Sequence, residues 1–154
     1  MWPFKKQEIK DTANLNSDDH AWSILEVSSG EGPMLVRVND TAKEWAKHPK
    51  LNIRVGFAIP LRTQNPEGMP NPEENSAFNQ IEDELCNLIA KTGASIQVLA
   101  VTTGTFKEFV FYIENASGIE GAHKEAIAKF PEYEVQCYGE NDPKWQGYFQ
   151  WQKA

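Results

Sequence analysis

The chain has 154 residues, a length typical of one domain, and it can bury a sizeable core without a disulfide or a structural metal. It carries 22 acidic and 15 basic residues, a formal net charge of −7. This balance argues against binding of DNA or RNA, which needs a basic face, and no apolar run is long enough to span a bilayer.

The first third of the chain predicts a lead-in, a hairpin and a short helix. Residues 1–20 are mostly polar and are predicted to form a flexible lead-in. Two short strands are predicted at 22–27 and 34–38, and the serine- and glycine-rich connector between them indicates a hairpin. A short helix is predicted from Asp40 to Lys47.

A long strand and a long helix come next. Apolar residues alternate with small or polar ones from Leu51 to Leu61, which indicates a strand with one face toward a core. The helix that follows has Asn71 as its predicted N-cap and Pro72 at its first position, and Gly93 is its predicted stop.

The remaining elements complete a β-α-β-β-α-β order. Strands are predicted at 95–103 and 106–114 around Gly104, and a last strand at 133–138. The helix between them is predicted to begin at a capping box of Ser117 and Glu120 and to face inward through Ile119, Ala122, Ala126, Ile127 and Phe130. With right-handed crossovers this order predicts an α+β, ferredoxin-like sandwich, with one domain over residues 21–151.

One face of such a sheet carries no helix. The alternation places Arg54 and Tyr112 on this open face, with apolar and polar neighbours. Three covers are possible: the N-terminal hairpin with Trp22, the C-terminal tail, or a partner protein. A bare apolar patch of more than a few hundred Å² would be unusual on a monomer, so some cover is expected.

The C-terminal tail is rich in large aromatic residues. Asp142 and Pro143 are predicted to turn the chain, and Trp145 and Tyr148 to anchor the tail against the domain. Phe149 and Trp151, nearest the end, are the rings expected to meet a partner.

A search for catalytic and metal-binding patterns finds no constellation. The three histidines and two cysteines are not spaced as ligands, so neither a metal nor a cofactor is expected, and the cysteines indicate free thiols in the cytoplasm. Acidic side chains in the first turn of the first long helix suit its dipole, with a divalent cation or a basic partner at the acidic surface of this helix as the alternative. The acids that share the helix are Glu73, Glu74, Glu82, Asp83 and Glu84.

Several short motifs together carry a resemblance over residues 20–151. They are Trp22 at the hairpin, Val36–Asn39, Gly68–Pro70 before Glu73–Glu74, Glu82–Asp83, Thr102–Gly104 before Phe111–Tyr112, and Glu140–Trp145 with Tyr148. In these the chain resembles an uncharacterised bacterial family, the domain of unknown function 695. The resemblance implies no established activity. Some relatives are joined to a domain like the ribonuclease E inhibitor of the regulator-B type, which by analogy implies a cytoplasmic regulator acting through protein contact.

Two classes of function stay open on the sequence. The first is a small cytoplasmic binding or regulatory module, with a protein partner or a second copy bound at the open sheet face or the tail. The second is a small hydrolase-like enzyme with a carboxylate site between the 62–71 loop and the tail, where Asp142 or Glu74 would be the acid–base group. The candidate residues are Arg54, Glu74, Tyr112, Asp142, Trp145, Tyr148 and Trp151.

Overall fold

The protein is an α+β structure built on one six-stranded antiparallel sheet. A computed structural model describes residues 11–12, 15–16, 19–30 and 32–152, so most of the predicted lead-in at 1–20 lies outside the described residues. The sheet order is β1-β2-β4-β5-β3-β6. The strands are β1 Trp22–Ser29, β2 Gly32–Asn39, β3 Ile53–Pro60, β4 Ser95–Thr103, β5 Phe106–Ile113 and β6 Gln136–Asn141.

Helices lie between some of the strands and after the last one. They are α1 Pro72–Ala90, α2 Ile119–Lys129 and the single-turn α3 Gln146–Phe149, together with a 3-10 helix at Asp40–Trp45. The start of α1 is as predicted, because Asn71 Oδ1 accepts from Glu74 N at 2.8 Å. Its stop is also confirmed: Gly93 follows α1 with φ +139°, a conformation that glycine adopts without strain. The 22–38 hairpin is confirmed as the β1–β2 pair.

The sheet separates two apolar cores. The helix-side core lies under α1 and α2, and includes Val55, Phe57, Phe78, Phe109 and Phe111. The tail-side core lies on the other face, and includes Val36, Trp45, Leu99, Tyr112 and Trp145. A β-bulge at Gln97–Leu99 interrupts the alternation of β4, so the consecutive residues Val98 and Leu99 both reach the tail-side core. Leu15, in the lead-in, is also buried in the tail-side core.

Two sequence predictions about α2 are wrong. The predicted Ser117 cap does not form, and instead Asn115 Oδ1 accepts from Ser117 N at 3.0 Å, which stabilises a 3-10 turn ahead of the helix. Asn115 competes successfully because its short side chain reaches the backbone two residues on. Ile127, predicted to face inward, has 45% of its surface exposed, because α2 packs instead through Ala122 and Ala126.

Two strand boundaries also differ from the prediction. The last strand begins at Gln136 rather than Tyr133, because Tyr133 N bonds to Phe130 O in a turn. Tyr133 and Val135 reach the helix-side core from that turn, so their apolar character does not mark a strand. Leu51 was predicted to share a face with Val55 and Phe57, but it precedes β3 and is buried in the tail-side core. The alternation of faces holds only for the residues of β3 that pair with neighbouring strands.

Candidate functional site

The C-terminal tail lies on the sheet face that carries no long helix. The Trp145 ring stacks on the Tyr112 ring, with 4.1 Å between centroids and 8° between planes. Trp145 Nε1 donates to Leu51 O at 2.7 Å, and Tyr148 Oη donates to Asn39 O at 2.7 Å. Both rings are fully buried. Of the expected covers, the tail is therefore the one that lies on Tyr112. Trp22 lies on the opposite face, under the Arg37 guanidinium.

Asp142 fixes the start of the tail. Its backbone N donates to Asn52 O at 2.8 Å, which joins it to the chain just before β3. Its carboxylate accepts from Gln146 N and Gly147 N, each at 2.9 Å, and from Tyr112 Oη at 2.7 Å. These contacts satisfy backbone donors of the single-turn helix α3 that would otherwise be unpaired.

The electrostatics of Asp142 follow from these contacts. Burial alone would raise the pKa of the carboxyl, but the bonds from Gly147, Tyr112 and Gln146 and the nearby Arg54 charge outweigh it, so the pKa lies below its ordinary value. Burial and the same carboxylate raise the pKa of Tyr112 far above its usual range. Asp142 is therefore an ionised structural acceptor, and Tyr112 is its neutral donor.

Two local features bring the tail to this position: the left-handed backbone at Trp145 and the glycine at position 147. Trp145 has φ +56°, in the left-handed region, where non-glycine residues are uncommon. Gly147 packs directly on Arg54, and a Cβ there would lie 1.9 Å from Arg54 Nη1. A glycine at position 147 thus allows α3 to sit against the arginine side chain.

A groove remains between the end of the tail and the sheet, and we call it the tail groove. Its volume is about 160 Å³, and its walls include Arg54, Glu108, Tyr138, Gln150 and Trp151. Its apolar floor comes from Leu99, Val101 and Val110. Trp151 lines the groove, is half-buried, and also packs against the tail-side core.

Carboxylates outnumber the one arginine in and immediately around the tail groove. Arg54 pairs with Glu140 at 2.9 Å and with Asp142 at 3.4 Å. Glu108 accepts a hydrogen bond from Tyr138 Oη, and burial followed by this carboxylate raises the pKa of Tyr138 well above its ordinary value. Two carboxylates thus pair with one guanidinium, whose buried Nε has no acceptor among the described residues, and Glu108 lies in the wall of the same groove.

Glu74 lies apart from the other candidate residues. Its carboxylate accepts from Arg62 N at 2.8 Å, Thr63 N at 3.0 Å and Tyr133 Oη at 2.8 Å. Burial alone would raise the pKa of Glu74, but these hydrogen bonds outweigh it and hold the pKa below its ordinary value. Burial, together with the hydrogen bond to Glu74, raises the pKa of Tyr133 to about 12. A shallow cavity of about 400 Å³ borders this cluster.

The predicted carboxylate site between the loop and the tail is not assembled. Asp142 contacts Arg54, near the start of β3, whereas Glu74 binds the backbone just past the end of β3, at Arg62 and Thr63. A strand rises about 3.3 Å per residue, so Arg54 and Arg62 are roughly 25 Å apart along the chain. Glu74 also lies on the helix side of the sheet. The structure brings together Arg54, Tyr112, Asp142, Trp145, Tyr148 and Trp151, and leaves Glu74 out.

Sequence reasoning did not single out Glu108 and Tyr138. One available signal was Gly56 within β3, since glycine inside a strand often marks a close approach of another group. Gly56 is the register partner of Tyr138, and a Cβ at Gly56 would lie 2.2 Å from the tyrosine ring. Glu108 carried no comparable signal, because an outward-facing acid on a strand is ordinary.

The histidines and acids form no metal-binding cluster among the residues that the structure describes. His123 is half-buried, and its Nε2 contacts Val135 O at 2.6 Å. Across the same part of the chain, every helix is too short or too polar to cross a membrane.

Comparison with known proteins identifies a family without naming an activity. The model of a family described as "Family of unknown function (DUF695)" matches residues 20–151. No curated protein and no solved structure matches the chain.

Proposed function

For this chain, which belongs to the DUF695 family of unknown function, we propose a binding module that acts through contact with another protein. The contact surface is the tail groove, and the partner presents a basic side chain to it. The proposal rests on the division of the candidate residues into buried ones and ones that line an accessible groove. Tyr112, Trp145 and Tyr148 are fully buried, whereas Arg54 and Trp151 line an accessible groove.

The charge in and around the groove defines the partner. Glu108 lines the groove beside Arg54, and two further carboxylates, Glu140 and Asp142, pair with that arginine. The chain as a whole carries a formal charge of −7. A lysine or arginine of a partner would meet complementary charge, which favours association and selects against acidic partners. The half-exposed Trp151 ring adds a cation–π surface, and tryptophan is among the residues that dominate interface energies.

The engagement of both candidate acids supports binding over hydrolysis. Asp142 and Glu74 each accept three or more hydrogen bonds within the protein, and both have a pKa below the ordinary value. A general acid or base at neutral pH works best with a pKa near the working pH, and these shifts run the other way.

A displayed library of random peptides would test the proposal. Peptides are selected on the wild-type protein, counter-selected on Trp151→Ala, and measured by fluorescence anisotropy. We expect enriched peptides to contain lysine or arginine, to bind at least tenfold more weakly to Trp151→Ala, and to weaken as salt is raised.

The matched control is Trp22→Ala, which removes a half-buried tryptophan from the opposite face of the sheet. It should leave binding of the selected peptides unchanged. Failure to enrich any peptide, or enriched peptides that bind Trp151→Ala as well as wild type, would rule out the tail groove as the contact surface.

We also propose a ferredoxin-like topology and a cytoplasmic location for this protein. The order β4-β5-β3-β6, with α1 and α2 on one face, supports a ferredoxin-like unit that the β1–β2 hairpin extends. A cytoplasmic location in a bacterial cell is supported by two free thiols, Cys86 and Cys137.

A further inference from the structure

A second groove lies on the other face of the sheet, between the β1–β2 hairpin and α1. We call it the hairpin groove; its volume is about 190 Å³. The hairpin widens the sheet beyond α1, so its surface on this side has no helix over it. Ile24 stands at the edge of the groove with 67% of its surface exposed, and Leu35 and Phe109 provide further apolar wall.

A buried lysine lines this groove. Lys107, in β5, is only 8% exposed, and its Nζ donates to Asn75 Oδ1 at 2.8 Å. Its ammonium also lies 5.7 Å from the centre of the Phe78 ring. An ammonium has three donors, and buried charges are normally paired with an opposite charge. A neutral amide oxygen is a weak partner for a charge held this deeply.

The nearby carboxylate is already engaged. Glu82 forms an ion pair with Arg37, and its Oε2 also accepts from Gln97 Nε2 at 2.6 Å. The charged groups that line the groove are thus Arg37 and Lys107 against Glu82, a net charge of +1 on a chain with a total of −7. This local reversal of sign indicates an anionic ligand.

We propose that the hairpin groove binds a small aliphatic monocarboxylate. The carboxylate accepts from Lys107, and the carbon chain lies along Ile24 and Leu35. Asn79 and Thr102, which also line the groove, offer further donors. A single negative charge balances the net lining charge of +1, whereas a dianion such as phosphate would leave one negative charge uncompensated.

The size of the groove fits this ligand class. Pockets for drug-sized ligands run from about 300 Å³ upward, so about 190 Å³ suits a smaller molecule. The site lies across the sheet from the tail groove and is independent of the proposed protein contact. The two can therefore fail or succeed separately.

Titration of isotopically labelled protein by NMR would test the site, with butyrate, hexanoate and the neutral analogue hexanamide as probes. We expect saturable shifts at backbone amides of β2 and β5 with the carboxylates, and much weaker ones with hexanamide. Lys107→Met keeps the shape of the side chain and removes its charge, so hexanoate should bind about tenfold more weakly or worse.

Lys124→Met is the control, because it removes a positive charge from the exposed face of α2. It should bind hexanoate as wild type does. Shifts that do not saturate, equal binding of hexanamide, or undiminished hexanoate binding by folded Lys107→Met would each overturn the proposal. Because removal of a buried charge is often tolerated, the variant should stay folded.

Discussion

Asp142 collects hydrogen bonds from three parts of the chain at one carboxylate. Tyr112 lies in β5, Arg54 lies in β3, and two backbone donors come from the tail. The sequence placed Arg54, Tyr112 and Asp142 among the candidate residues, yet it could not show that they contact one another. Alternation fixes which face of a strand a side chain occupies, but contacts between distant segments depend on the packing of the whole chain.

We predict that Asp142→Asn lowers the free energy of unfolding by at least about 3 kcal/mol at pH 7, since several hydrogen bonds to a charged acceptor are lost or weakened. The folded pKa of Asp142 lies below the model-peptide value of 3.8, so this stabilisation is present above pH 3.8 and is lost as the pH falls through the folded pKa. Urea unfolding at pH 7 and at pH 3 should therefore show a smaller difference between variant and wild type in acid.

The control for this prediction is Asp83→Asn, on the exposed face of α1. It should change stability by no more than about 0.5 kcal/mol. A difference between Asp142→Asn and wild type that stays constant down to pH 3 would contradict the role of Asp142 as a charged acceptor.

Elements with strong periodicity or clear caps were predictable from the sequence. The strand at Ser95–Thr103 has the predicted bounds, and α1 has its predicted cap. The N-terminus of α2 was not predictable in the same way, because Asn115 and Ser117 both suit a cap and only the chain path past β5 selects one. The tail-side position of Leu51 was missed for a related reason, since apolar alternation does not show where pairing begins.

A pair of variants separates the two possible caps of α2. We predict that Asn115→Ala lowers the free energy of unfolding by about 0.5–2 kcal/mol, because it removes the acceptor for Ser117 N. Ser117→Ala keeps that backbone donor and should cost less. Thermal unfolding followed by circular dichroism measures both, and a larger loss for Ser117→Ala than for Asn115→Ala would support the capping box instead.

At the scale of the whole molecule, the sheet is a partition between two cores that depend on different parts of the chain. The helix-side core is built from β3 to β6 and the two longer helices. The tail-side core draws on the hairpin, the tail and Leu15, so it unites segments from both ends of the chain. The sequence predicted an open sheet face and an aromatic tail, but not which segment covers that face. The contact between Trp145 and Tyr112 joins positions far apart in the chain, and local sequence patterns do not report such contacts.

This division predicts the effect of removing the tail. Deletion of residues 143–154 takes Trp145 and Tyr148 away from Tyr112 and leaves the groups of the helix-side core in place. The truncated protein should keep its far-UV circular dichroism, bind a hydrophobic dye and self-associate in sedimentation, because a large exposed apolar patch favours association.

Trp145→Ala should act in the same direction and lower the free energy of unfolding by about 3–5 kcal/mol, since its ring is fully buried. Trp151→Ala, which removes a half-buried ring, should leave the protein monomeric and lower the melting temperature less than Trp145→Ala does. If the truncated protein were monomeric, free of bound dye and as stable as the full chain, the tail would not be the cover that this face requires.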